Sequence, residues 1–244
     1  MGKRLIVQRR GKGSSVYRSP SHKHRSGVKG VKYRKIDEAE KNGSLKATVT
    51  KLVHDPGRSA PLAGLKLENG ENFLAIVSEG TKVGDFIHCG STKLLKPGNI
   101  MPLSQIPEGT PVFNIEKNPG DGGKFVRSAG TYALLVAHDE SDKSVLQLPS
   151  GAMKTFNSNS RATIGIVGGG GRKERPLLKA GKKHHTLRAK SRNWPMVRGV
   201  AMNVVNHPYG GGSKQCAGKP DCVSRNAPPG RKVGKIAPKR TGKR

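Results

Sequence analysis

The side chains able to do chemistry cluster in the C-terminal third, and their spacing limits what that chemistry is. Cys216 and Cys222 bracket five residues, with His184-His185 and His207 upstream. A structural zinc site usually draws on two cysteine pairs, each two to four residues apart, so this single wider pair reads as free thiols and zinc is not expected. His207 stands before a proline in Asn206-His207-Pro208. A general base needs a proton within reach and an orienting partner, and here Asn206 offers an amide where a carboxylate would be wanted. Packing or polar contact suits this imidazole better than proton transfer. Gly168-Gly169-Gly170-Gly171 before Arg172-Lys173 evokes a phosphate loop but lacks the G-x-x-x-x-G-K-[ST] spacing. Nucleotide hydrolysis is unsupported, whereas cations after a flexible run suit a polyphosphate backbone. The 16 acidic residues are scattered, most often in turns, and not clustered for metal or acid–base work. No catalytic residue, metal site or cofactor is expected of the chain itself; magnesium would come only with a polyanionic partner.

The cations carry the stronger signal. Residues 1–35 hold 12 Lys and Arg and no acid, residues 36–171 hold 14 of each sign, and residues 172–244 hold 20 basic against 2 acidic. All of the formal net charge of +30 therefore sits at the two ends. Such ends cannot fold against their own repulsion, and they point to a polyanion that neutralises them. The candidate phosphate contacts are Lys3, Arg4, Arg9, Arg10, Lys12, Arg18, Lys23 and Arg25 at one end. At the other they are Arg172, Lys173, Arg175, Lys182, Lys183, Arg188, Lys190, Arg192 and Arg198.

The elements that must position these residues are short strands. Leu45–His54 is rich in β-branched residues, and Leu62–Glu68 and Glu71–Val77 flank Asn69-Gly70, a pair suited to a type I′ hairpin. Val83–His88 adds a strand, and Pro97-Gly98, Pro102, Pro107 and Gly109 mark residues 90–111 as a linker or a run of turns. A second series follows at Val112–Glu116, Lys124–Ser128, Thr131–Ala137, Val145–Leu148, Lys154–Asn157 and Thr163–Val167. That spacing predicts a mainly β fold of two small barrels, with one larger sandwich as the alternative. Asp37–Glu40 predicts one helical turn and Leu177–Lys190 a short helix interrupted by Gly181. From Trp194 onward no periodicity would bury a face.

The partner class can be narrowed. The ends lack the apolar helical face of a membrane binder, no apolar run approaches a spanning helix, and Leu5-Ile6-Val7 is too short for a signal-peptide core. Glycines at 11, 13, 27 and 30 interrupt the amphipathic helix of a transit peptide, and three cysteines make no even disulfide framework, so a reducing cytoplasm is the default. The body is β, unlike histone-like binders, and no zinc-finger, homeodomain or leucine-zipper pattern occurs. Folded RNA fits best, because its narrow anionic crevices admit Gly-permitted basic chain. With 4% aromatic residues there is no base-stacking platform, so recognition rests on phosphates, 2′-hydroxyls and shape. A free-standing translation factor or chromatin protein is the rival reading.

The run Arg198-Gly199-Val200-Ala201-Met202-Asn203-Val204-Val205-Asn206-His207-Pro208-Tyr209-Gly210-Gly211-Gly212 carries an identity. It resembles the signature of the universal large-subunit ribosomal protein L two family. Asn226–Gly234 and Lys239-Arg240-Thr241-Gly242 are similar to that family's archaeal and eukaryotic-cytosolic branch, and the likeness extends from Gly2-Lys3-Arg4 through Asp55-Pro56-Gly57-Arg58 to the C-terminus. The resemblance implies a basic N-terminal extension (1–35), an OB-like barrel (36–89), an SH3-like barrel with linker (90–190) and a basic Gly/Pro-rich, largely irregular C-terminal extension (191–244). It also implies a non-enzymatic protein of the cytoplasmic large subunit that binds large-subunit rRNA and neighbouring ribosomal proteins. The protein would meet the small subunit across the interface and support the peptidyl-transferase region, with no membrane contact. Asn203, His207, Gly210, Gly211 and Gly212 join the candidate RNA contacts. Tyr209 stands where many bacterial members carry a second histidine, so no role of that imidazole carries over.

Overall fold

A computed structural model of the chain describes residues 2–15, 17–27, 30–92, 94–139, 141–172 and 174–239. The fold is mainly β. Ser21–Leu178 form one compact unit, and Met1–Pro20 with Lys179–Arg244 form another. The helices are short: α1 (Ile6–Arg10), α2 (Glu38–Asn42) and α3 (Ala180–Arg188). No helix among the described residues is long and apolar enough to cross a membrane.

The first strands follow alternation. In β1 (Ser44–Val53), Ala47 and Val49 are buried while Lys46 and Thr48 face outward, as a half-covered strand requires. β2 (Leu62–Leu67), buried at all but one position, lies between β1 and β3 (Asn72–Ile76). The Asn69-Gly70 hairpin forms, but not with the expected turn. Leu67 pairs with Glu71, leaving Glu68, Asn69 and Gly70 as a three-residue loop in which only Gly70 takes positive φ, at 86°. Such a loop is a type I turn closed by one left-handed residue, the longer hairpin solution. β4 (Phe86–Gly90) completes the series on the free side of β1.

The proline- and glycine-punctuated stretch 90–111 is more than a linker. It contains β5 (Ile100–Pro102), parallel to β4 through Cys89 and Ile100, and then a 3₁₀ turn at Leu103–Gln105 whose Leu103 is buried. β6 (Pro111–Phe113), β7 (Ala133–Asp139), β8 (Lys143–Gln147), β9 (Met153–Asn157) and β10 (Arg161–Ile164) follow. The expected strand at Lys124–Ser128 is reduced to a single bridge from Phe125 to Ile115. Val126 explains the loss: it sits at φ 53°, a left-handed conformation costing a β-branched residue about 1–3 kcal/mol and incompatible with a continuing ladder. The hydrogen-bonded order among the described strands is β3-β2-β1-β4-β5-β10-β6-β7-β8-β9.

Two apolar cores flank this junction. Ala47, Val49, Leu65, Leu67 and Ile87 belong to the first, and Met101, Ile115, Leu135, Leu146 and Phe156 to the second. Between them a third cluster joins Leu62, Ile76, Phe113 and Val167 to Val31, and a fourth places Tyr33 beside Cys89 and Ile100. The basic stretch before residue 36 thus contributes two buried side chains to the strand-bearing unit.

Charge is buried at the same place. The Arg161 side chain, 4% exposed, pairs with Glu40 at 2.7 Å and Glu116 at 2.9 Å. Glu116 is completely buried and also accepts from the backbone N–H groups of Arg161, Gly120 and Gly122. The Arg161 guanidinium donates further to the Arg34 carbonyl and lies 5.1 Å from the Tyr33 ring centre, while Tyr33 Oη and Thr163 Oγ1 are 2.6 Å apart. Arg34 in turn pairs with Glu40, Asp37 and Glu71. Burial works against the Arg161 charge, but Glu116 and Glu40 outweigh it and hold the pKa above its usual value.

A second buried carboxylate organises Asp55-Pro56-Gly57-Arg58. Asp55 accepts from the Arg25 and Gly57 N–H groups, the Ser26 hydroxyl and Arg58 Nε at 2.7 Å. Burial opposes its ionisation, yet the Arg58 hydrogen bond and the two backbone donors hold its pKa below the ordinary 3.8.

Glu116→Gln removes one charge of a buried pair at constant size and is expected to cost about 3–5 kcal/mol in urea unfolding of the full chain. The depressed Asp55 pKa gives stability that is present above the unfolded value and is lost as pH falls through the folded one. Acid unfolding of the wild type should therefore begin below about pH 4, and Asp55→Asn should flatten that dependence while lowering stability at neutral pH.

Candidate nucleic-acid interface

The two basic ends meet. The Lys3 N–H donates to the Val205 carbonyl at 2.7 Å, fastening the start of the chain to the middle of the Arg198–Gly212 run. Leu5 is buried beside this junction and its N–H donates to Gln8 Oε1, which fixes the entry into α1. Lys3, Arg4, Arg9 and Lys12, together with Ser14 and Tyr17, line one open depression. Arg10 and Arg18 are exposed without lining it. Lys23 and Arg25 are exposed on the other unit, where the Arg25 backbone is held by Asp55.

The second cation group divides the same way. Arg172 and Arg175 are exposed on the strand-bearing unit, and Lys173 lies outside the described residues, as do Arg240, Thr241 and Gly242 of the terminal motif. Helix α3 runs through Gly181 and presents Lys182, Lys183 and Arg188 to solvent, with Lys183 Nζ 5.2 Å from the Trp194 ring centre. Arg192 and Arg198 are exposed, and Arg198 donates to Gln215 at 2.7 Å, while Lys190 is half-buried. Clustered cations at these densities attract a polyanion through summed charge, whichever single residue is considered.

The signature run folds back on itself. The Asn203 carbonyl accepts from the Asn206 and His207 N–H groups, and Gly211 N–H returns to the Met202 carbonyl. A Cβ on Gly210 would lie 2.4 Å from the Asn203 oxygen, and one on Gly211 would lie 2.1 Å from Val204 Cγ2. These two glycines therefore admit the close approach of the chain's own turn. Gly212 and the Asn203 side chain remain exposed, beside the exposed Val204 and Val205.

His207 is built into this turn. The Tyr209 N–H donates to its Nδ1 at 3.1 Å, which assigns the neutral proton to Nε2 and leaves no free basic nitrogen on the neutral ring. Gly199 packs so closely that a Cβ there would come within 2.2 Å of the ring, and the Tyr209 ring lies 5.2 Å away, centre to centre. Burial holds the imidazole pKa below its ordinary value. The Tyr209 hydroxyl lies 3.4 Å from the Pro220 and Val233 carbonyls, beside the parallel pair β11 (Cys222–Val223) and β12 (Lys235–Ile236), which an Asp221–Lys235 ion pair closes at 2.9 Å. The C-terminal region thus has its own small framework, which no periodicity announced.

Among the described residues, no three His, Cys, Asp or Glu side chains converge as a metal site would need. Cys216 is exposed, Cys222 donates to Asp221, and burial, with the Glu40 charge, pushes the Cys89 thiol up to about 12. Sequence reasoning missed Tyr17 in the basic depression, and Phe86 on the strand-bearing unit, 46% exposed with Lys46 Nζ 3.9 Å from its ring centre. Alternation could have found Phe86, because it precedes the buried Ile87 on β4.

NMR titration of His207 should show the Nε2–H tautomer at neutral pH and a pKa below 6.5. Because the folded value is depressed, the turn's stability is present above the unfolded pKa and lost as pH falls through the folded one. A raised value or the opposite tautomer would contradict this geometry.

Two family models match the chain. The RNA binding N-terminal domain of Ribosomal Proteins L2 matches residues 2–89, and the C-terminal domain of Ribosomal Proteins L2 matches residues 96–232. The large ribosomal subunit protein uL2 of Methanosphaera stadtmanae is 58% identical over 244 residues, covering all of both chains. Those of Methanothermobacter thermautotrophicus and Methanocaldococcus jannaschii are 57% and 58% identical, again over the full length of both chains. With matches of this extent over both halves, the chain belongs to the ribosomal protein L2 family.

Proposed function

We propose that this chain is a non-enzymatic structural component of the cytoplasmic large ribosomal subunit that binds large-subunit rRNA. The observation that carries the reading is the joining of both basic ends into one unit at Lys3 and Val205, which sets exposed cations beside the Arg198–Gly212 run. A surface of this kind binds phosphate backbone without needing base-specific contacts. The strand-bearing unit docks on RNA surface, and the basic ends follow RNA crevices. The Arg198–Gly212 turn supports the peptidyl-transferase region and subunit association, next to other large-subunit proteins and facing the small subunit. His207 serves there as a packing and hydrogen-bonding group and supplies no proton transfer.

The reading predicts that tagged full-length chain sediments with large subunits at moderate salt. Binding to isolated large-subunit rRNA should weaken by about 10³–10⁵ between 50 and 200 mM salt if six to ten phosphates are neutralised. A single Arg9→Ala change should cost little in so dense a cluster. Failure to sediment with large subunits, or salt-independent rRNA affinity, would overturn the proposal.

A further inference from the structure

In a chain where cations outnumber acids 46 to 16, the outer face of β7, β8 and β9 has a single cation, Lys143. The inner face of these strands packs Ala133, Leu135, Leu146 and Phe156 into the second apolar core. By the two-residue period of a strand, the residues between them point the other way. There Tyr132, Val136 and Met153 are exposed, and Leu134, Ala137 and Val145 are half-buried. The ladders set them in rows: Ala137 opposite Val145 and then Thr155, Leu134 opposite Gln147 and then Met153. An apolar surface of this kind, rimmed by uncharged polar groups, marks a contact with another molecule.

Charge says which molecule. The buried acids Glu40, Asp55 and Glu116 each meet an arginine, whereas the exposed Glu108, Asp139 and Asp142 form no ion pair among the described residues. These three gather at one end of the face: Glu108 accepts from the His138 N–H at 2.9 Å, and Asp139 and Asp142 flank the β7–β8 turn. A phosphate backbone needs cations and is repelled by acids, so RNA does not suit this surface. Long basic side chains do, because their aliphatic stems cover apolar surface while their heads reach the acids. The free edge of β9 is not the contact. Lys154 on that strand points to the core side, its Nζ 4.3 Å from the Phe125 ring centre, and an inward charge on an edge strand discourages the addition of another strand.

We infer that the outer face of β7, β8 and β9 docks a Lys- and Arg-rich segment of another large-subunit protein. The segment lies across the apolar rows and sets its cations against Glu108, Asp139 and Asp142. The inference rests on the place in the large subunit proposed above and assigns one protein contact within it.

The test places a benzophenone photo-crosslinker at Thr155 in the full chain and assembles that chain into large subunits. Irradiation should join it to another protein, at a peptide in which Lys and Arg outnumber Asp and Glu, as read by mass spectrometry. Asp139→Lys combined with Asp142→Asn should lower the crosslink yield per assembled chain about tenfold. Asn is chosen at 142 because it tolerates the left-handed φ of 53° there. Met153→Gln changes no charge and should lower the yield about fivefold. Neither variant should weaken the affinity of the free chain for rRNA. A crosslink to rRNA, to a second copy of this chain, to a peptide without basic excess or to nothing would overturn the docking surface and leave the RNA-binding function standing. So would a yield that ignores either variant, or a loss of rRNA affinity in either. A chain that does not enter large subunits would overturn both.

Discussion

Everything in the strand-bearing unit depends on one buried ion network. Arg161 on β10 reaches Glu116 after β6 and Glu40 on α2, and its guanidinium also holds the Arg34 carbonyl. Three stretches far apart in sequence, at residues 34–40, 116 and 161, are thereby fixed around one side chain. Separating any of them would leave a charge in a low-dielectric interior without its counter-charge, a cost well beyond that of an exposed pair. The network also has a geometric role. Glu116 accepts from Gly120 and Gly122 as well as from Arg161, so the same carboxylate shapes the glycine-rich loop and closes the second apolar core. Apolar packing supplies most of the burial, while the ion network dictates which segments share it.

Much of this fold was legible because strands announce themselves by composition and turn chemistry. Richness in β-branched residues over Leu45–His54 placed β1, and Asn69-Gly70 placed the hairpin. Misses arose where a local rule met a non-local demand. β5 is three residues long with Ile100 and Met101 both buried, so it shows no alternation, and the surrounding prolines read as linker. Lys124–Ser128 has strand composition, yet Val126 leaves the β region. Arg161, Glu116 and Glu40 carry no sign of burial in the sequence, because only the assembled unit brings both acids to Arg161.

The interface was legible in composition and obscure in geometry. Charge partition marked both ends of the chain as basic, and the cations described at both are largely exposed. No local pattern could disclose that Lys3 bonds to Val205, since contacts across two hundred residues have no periodic signature. Nor could the sequence show that Gly210 and Gly211 serve close approach within their own turn. His207 drew notice as a reactive group, and the Tyr209 N–H at its Nδ1 explains it as a structural one.

The Lys3–Val205 bond bears on the order in which the chain acquires its shape as it leaves the ribosome that makes it. Folding during synthesis proceeds from the N-terminus, and domains usually fold as units. The strand-bearing unit, complete at Leu178, has all its partners while the last quarter of the chain is still unmade. The first twenty residues are synthesised earliest yet find their place last, because Val205 must emerge before Lys3 can bond to it. For that interval a segment rich in cations and free of acids stands open to any anionic surface.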